Sequence, residues 1–166
     1  MNQPVEKGAI AAPVYPPQYL YIDGEFIGAE ARAGQDLRNP ATGQVIGHLP
    51  HATPADLQRA LEAAERAFAT WRHSSPMERS AILRKVGELS RQRATDIGRN
   101  ITLDMGKTLA EAVGEVVACA DHCDWHAEEA RRIYGRVIPP RTPNVRQMVL
   151  REPVGVCAPF TPWNFP

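Results

Sequence analysis

Between Pro50 and Pro139 apolar residues return every three or four positions, and outside that stretch they do not. Leu57, Ala60, Leu61, Ala64, Phe68 and Trp71 make one stripe; Ile82, Val86 and Leu89, then Ile97 and Ile101, make a second. Val113, Val116, Val117, Ala120, Ala127 and Tyr134 make a third. This spacing predicts three amphipathic helices that share a core with something. Each opens with a hydroxyl three residues before a carboxylate: Thr53 and Asp56, Ser75 and Glu78, Thr108 and Glu111. The hydroxyl can accept from an orphan amide at the helix start, and the carboxylate can answer it. Pro54 and Pro76 take first helical positions, where no amide is needed. The second helix is expected to bend or break near Arg93–Asp96 and to end at Gly106, and the third to run from about 109 to 134.

The flanks read differently. Of 15 prolines only Pro54 and Pro76 lie between Pro50 and Pro139. Residues 1–18, with Pro4, Pro13, Pro16 and Pro17, read as an extended arm. Tyr19–Ile27 places two aromatic and β-branched runs around Asp23-Gly24, the signal of a two-residue hairpin. Asn39–Gly43 is a turn cluster leading into a short strand at Gln44–Ile46. Val145–Arg151 alternates like a strand with two unlike faces. Val154–Ala158 is short and wholly apolar, as in a strand buried on both faces of a parallel sheet, yet neither crossover nor partner strand follows. The expected class is α/β, truncated: an arm over 1–18, a helical and strand-bearing region over 19–152, and an incomplete unit over 153–166.

Composition narrows the function. Nineteen Lys and Arg balance nineteen Asp and Glu, which argues against a broad grip on nucleic acid or an anionic membrane. No apolar run approaches the roughly 18 residues that span a bilayer. The N-terminus lacks the layout of a secretion signal, and the first arginine is Arg32. Three cysteines are too few for a disulfide framework, so a cytoplasmic setting is expected.

Cys119, His122, Cys123 and His126 invite zinc at first sight. One straight helix rises about 10.5 Å over that span, too far for four ligands around one ion, so no metal site is assigned, the alternative being a partial site completed by another chain. The cysteines are expected to pack as small apolar groups, with the histidines near the surface. Cys157 lies in an apolar run without a charged neighbour, which reads as strand core and not as a nucleophile. No two of the 12 glycines are spaced by two, so no dinucleotide fingerprint is present. The closing hexapeptide Thr161–Pro166 offers a flat apolar Trp163 and the amide donor of Asn164 at the carboxyl end of an expected strand, where open α/β sheets bind ligands. Trp163 as a core plug and Asn164 as a turn former is the alternative.

Tyr21–Phe26, Asn39–Gly43, Ala63–Phe68 through Trp71, Met105-Gly106-Lys107 and Arg151–Val156 resemble, in order, the N-terminal part of the NAD(P)-dependent aldehyde dehydrogenase superfamily, and Pro162–Pro166 matches its signature loop. Trp125–Gly135 looks most like the succinate-semialdehyde dehydrogenase branch. The resemblance implies the N-terminal part of the aldehyde dehydrogenase fold: hairpin, helical segment, oligomerisation strand, and the first strand of a Rossmann-like domain. It implies chemistry in which a thiolate attacks an aldehyde, hydride passes to NAD or NADP, and a glutamate-activated water hydrolyses the thioester. Asn164 matches the asparagine that donates to the oxyanion, and Phe160, Thr161, Pro162 and Trp163 match the stretch lining the cofactor. The matching nucleophile, glutamate, cofactor lysine and substrate arginine would all lie beyond residue 166, so the chain alone is expected to be inactive. The strand at Val145–Arg151 resembles the segment that pairs subunits, implying a homodimer or homotetramer. A non-catalytic helical interaction module is the competing expectation.

Overall fold

The computed structural model describes residues 15–30 and 32–166, so most of the expected N-terminal arm lies outside the described residues. Strands β1 (Leu20–Ile22) and β2 (Glu25–Ile27) form the expected antiparallel hairpin, with Ile22 opposite Glu25. Asp23 and Gly24 take φ of 54° and 84°, the two positive angles that match the turn to the twist of its strands. A second antiparallel ribbon pairs β3 (Gly34–Arg38) with β4 (Val45–Pro50) across Asn39–Gly43. The Asn39 side chain accepts from the Ala41 amide at 2.9 Å, which shapes this turn locally. Only the β4 side was expected, and β4 runs on to Pro50 instead of stopping at Ile46.

Four helices follow: α1 (Pro54–Trp71), α2 (Pro76–Gln92), α3 (Ala94–Met105) and α4 (Leu109–Glu129), the last running into a short 3₁₀ turn at Ala130–Arg132. Thr53, Ser75 and Thr108 each close a reciprocal capping box with Asp56, Glu78 and Glu111, as the spacing predicts. The expected break falls at Arg93, between α2 and α3. Gly106 ends α3 in the left-handed region at φ 81°, which a side chain would resist.

The core belongs to α3 and α4: Ala94, Ile101, Ala112 and Val116 are buried, with Ile97, Met105 and Val113 packed against them. α2 crosses α4 beside Gly87, and α3 packs on α4 beside Gly98, the missing side chains allowing both approaches. A Cβ on Gly98 would stand 2.8 Å from Val113 Cγ2, and one on Gly87 3.0 Å from the Ala120 carbonyl oxygen. The stripe of α1 is less covered, with Leu57, Leu61 and Trp71 exposed. α1 lies against β1, and two exposed ion pairs bind it to the hairpin: Arg59 to Glu25 at 3.2 Å and Arg66 to Asp23 at 2.7 Å.

A third ribbon pairs β5 (Arg136–Ile138) with β6 (Gln147–Val149), the latter inside the expected strand Val145–Arg151. The apolar run Val154–Ala158 is not a strand here; residues 150–162 carry no regular structure. A strand exists only beside a neighbour, and none pairs with this run among the described residues. Val154 is consequently 93% exposed.

Candidate functional site

Phe160 and Trp163 stand out from the chain, 93% and 82% exposed, and Thr161 and Pro162 are exposed beside them. The Phe165 amide donates to the Pro162 carbonyl at 3.2 Å, closing a four-residue turn with Trp163 and Asn164 at its two corners. Asn164 is thus a turn former, as one expectation had it. Trp163 is not the core plug of that same expectation, since the turn leaves it largely exposed.

Asn164 is the half-buried residue of Thr161–Pro166. What holds it is 57 positions away in sequence: the Lys107 ammonium donates to its backbone carbonyl at 3.0 Å and lies 4.6 Å from the centroid of the Phe165 ring. Lys107 is itself ion-paired with Glu115 on α4, and both side chains are largely buried, 15% and 17% exposed. The hydrogen bond uses the Asn164 backbone and leaves its side-chain NH₂ uninvolved in that contact. Lys107 was not singled out from the sequence for any role. Its signal is positional: with Gly106 capping α3 and Thr108 capping α4, it is the one residue between two helix ends.

An open cavity of about 890 Å³ adjoins this contact, lined by Ile97, Ile101, Lys107, Glu115, Cys119 and Phe165 among others. None of Phe160–Asn164 lines it, so the concavity and the expected site residues are separate features.

The cysteine and histidine cluster on α4 does not converge. Among the described residues no three His, Cys, Asp or Glu side chains gather as metal ligands. His122 and His126 are exposed, as expected, but Cys119 is exposed as well and Cys123 only half-buried; Ala120 and Ala127 take the inward positions. Burial first, then Cys119, pushes the Cys123 thiol up from its ordinary value, the opposite of an activated nucleophile. Cys157 is likewise exposed and not strand core, because the run that carries it has no sheet to enter. Among the described residues no helix is long and apolar enough to cross a membrane.

Capped helices, three antiparallel ribbons and an asparagine turn held by Lys107 make up the geometry of the described residues. The model of the aldehyde dehydrogenase family matches residues 26–166, and the chain belongs to it. It is 46% identical over 149 residues to a glutarate-semialdehyde dehydrogenase of Pseudomonas putida, covering 90% of this chain and 31% of that enzyme. It is 40% identical over the same length to an NADP(+) succinate-semialdehyde dehydrogenase of Escherichia coli, with coverage of 90% and 31%. The crystal structure of a succinate-semialdehyde dehydrogenase from Burkholderia pseudomallei superposes with a TM-score of 0.86 at 40% identity, over 96% of this chain and 33% of that one. A betaine aldehyde dehydrogenase from Staphylococcus aureus, solved with NAD+, gives 0.82 at 31% identity over 88% and 30%. The chain therefore spans about a third of the length of these relatives.

Proposed function

We propose that this chain is the N-terminal third of an NAD(P)-dependent dehydrogenase that oxidises a small carboxylate-bearing semialdehyde to its acid, and that Asn164 is the oxyanion donor of that enzyme. The observation that carries the assignment is the Pro162–Phe165 turn. It holds Asn164 by the backbone, and so leaves the carboxamide as a donor on a fixed frame. When a nucleophile adds to an aldehyde, the carbonyl oxygen becomes negative, and a donor already in place stabilises that charge without reorganising. The kind of substrate is supported by the glutarate- and succinate-semialdehyde dehydrogenases among the relatives.

Phe160, Thr161, Pro162 and Trp163 are proposed to wall one side of the nicotinamide dinucleotide. Their chemistry fits part of that group: two exposed aromatic faces and a hydroxyl on four consecutive residues suit a planar ring and its ribose. When bound, the cofactor supplies a hydride acceptor. Its pyrophosphate finds no glycine-rich cradle in this chain.

The test is Asn164→Ala in the full-length protein. Loss of one oxyanion donor typically costs about 10²–10³ in kcat. A variant that folds and turns over at the normal rate overturns the assignment. The β5–β6 ribbon is proposed to pair with another subunit in a homodimer or homotetramer, since Val137 is 90% exposed on it and β6 is exposed throughout. Light scattering on the full-length protein, giving a monomer, would refute that part.

A further inference from the structure

We infer that Lys107 is a positioning residue for Asn164, and that Glu115 acts behind it; this rests on the oxyanion role proposed for Asn164. An ammonium has three hydrogens to place. In Lys107 one goes to the Glu115 carboxylate and one to the Asn164 carbonyl, while the cation lies over the Phe165 ring, the next residue along. A single charge therefore grips two consecutive residues of the turn.

That grip is of use only if Lys107 itself cannot wander, and three features prevent it. Its backbone is held between the left-handed Gly106 cap and the Thr108 capping box. Its side chain is largely buried. Its partner Glu115 has its other oxygen, Oε1, buried without a hydrogen-bond donor among the described residues. A buried carboxylate so placed depends on the adjacent cation, and separating the two leaves an uncompensated charge.

The effect on Asn164 follows from backbone geometry. The Lys107 bond fixes the orientation of the Asn164 carbonyl, and the Phe165 to Pro162 bond fixes the turn around it. Only rotation about the side-chain bonds of Asn164 is left. An oxyanion donor must be placed to within a fraction of an ångström before the charge develops, and a misplacement of about 1 Å costs up to about 10²-fold in rate.

The experiment is a double-mutant cycle in the full-length enzyme with a semialdehyde and NAD or NADP. Lys107→Met is expected to lower kcat by about 10- to 100-fold. KM for the aldehyde should move by less than about two-fold, because the interaction lost serves the transition state. Lys107→Met combined with Asn164→Ala is expected to be no slower than Asn164→Ala alone. Wild-type kcat in Lys107→Met, or losses that multiply in the double variant, would overturn the inference while leaving the role of Asn164 standing. A normal rate in Asn164→Ala would remove that role and this inference together. Should Lys107→Met fail to fold, Glu115→Gln keeps the ammonium and loosens its anchor. A smaller fall in kcat that vanishes in the Asn164→Ala background supports the inference, and an undiminished or absent effect defeats it.

Discussion

Arg32 and Thr53 both donate to the carboxylate of Asp56, which is 4% exposed at the start of α1. The Arg32 guanidinium first, then the Thr53 backbone amide and hydroxyl, hold this carboxyl well below its ordinary value of 3.8. The native state therefore stays unprotonated where the unfolded chain takes up a proton, and lowering the pH through that window favours unfolding. The contribution is whole above the ordinary carboxylate range and fades as the pH falls through and below it. Denaturation of wild type and Asp56→Asn between about pH 6 and pH 2 should show the variant less stable at the upper end and the gap narrowing toward the lower. A gap independent of pH would disprove the linkage. Lys107 works at the same scale but in another direction: Asp56 secures a helix start, whereas Lys107 reaches from one helix start to a distant turn.

Between α3 and α4 the decisive quantity is the space beside a glycine. Gly98→Ala would bring a methyl against Val113, whose β-branched side chain and backbone cannot yield cheaply. The substitution is expected to lower stability by about 1–2 kcal/mol, overpacking outweighing the better helix propensity. Gly114 on α4 has nothing within 4 Å of the same atom, so Gly114→Ala should raise stability by about 0.5–1 kcal/mol. Urea unfolding followed by circular dichroism at low protein concentration checks both signs. Features of this local kind were legible in the sequence. The capping boxes at Thr53, Ser75 and Thr108 involve partners three residues apart, and the Asp23-Gly24 turn needs only two backbone angles. β3 was not legible, because Gly34-Gln35-Asp36-Leu37-Arg38 carries one large apolar residue and becomes a strand only through β4. Periodicity also overstated the cysteines of α4, since alanines one residue away from Cys119 and four from Cys123 face inward instead. For the site, the hexapeptide could be picked out by its chemistry, but the Lys107 contact could not, because it joins residues 57 apart.

Taken whole, the described residues bury little. No large side chain is fully covered, and five of the eight buried apolar residues among them are alanine. Leu57, Leu61 and Trp71 on α1, Val137 on β5, and Val154, Phe160 and Trp163 near the end all meet solvent. Exposed apolar surface on this scale marks sites of contact. The 166-residue chain by itself is expected to self-associate at micromolar concentration and to reduce no NAD or NADP with an aldehyde. A sharp monomer peak on size exclusion, or measurable turnover, would contradict these two expectations in turn. The hold of α1 on the β1–β2 hairpin is of a different nature, resting in good part on Arg59–Glu25 and Arg66–Asp23 at the surface. Such pairs weaken as dissolved ions shorten the reach of charge, to about 3 Å at 1 M salt. Raising sodium chloride should therefore quicken deuterium uptake at Leu20–Ile27 while leaving Ala112–Ala120 unchanged, so that one end of the molecule answers to its ionic surroundings and the other does not.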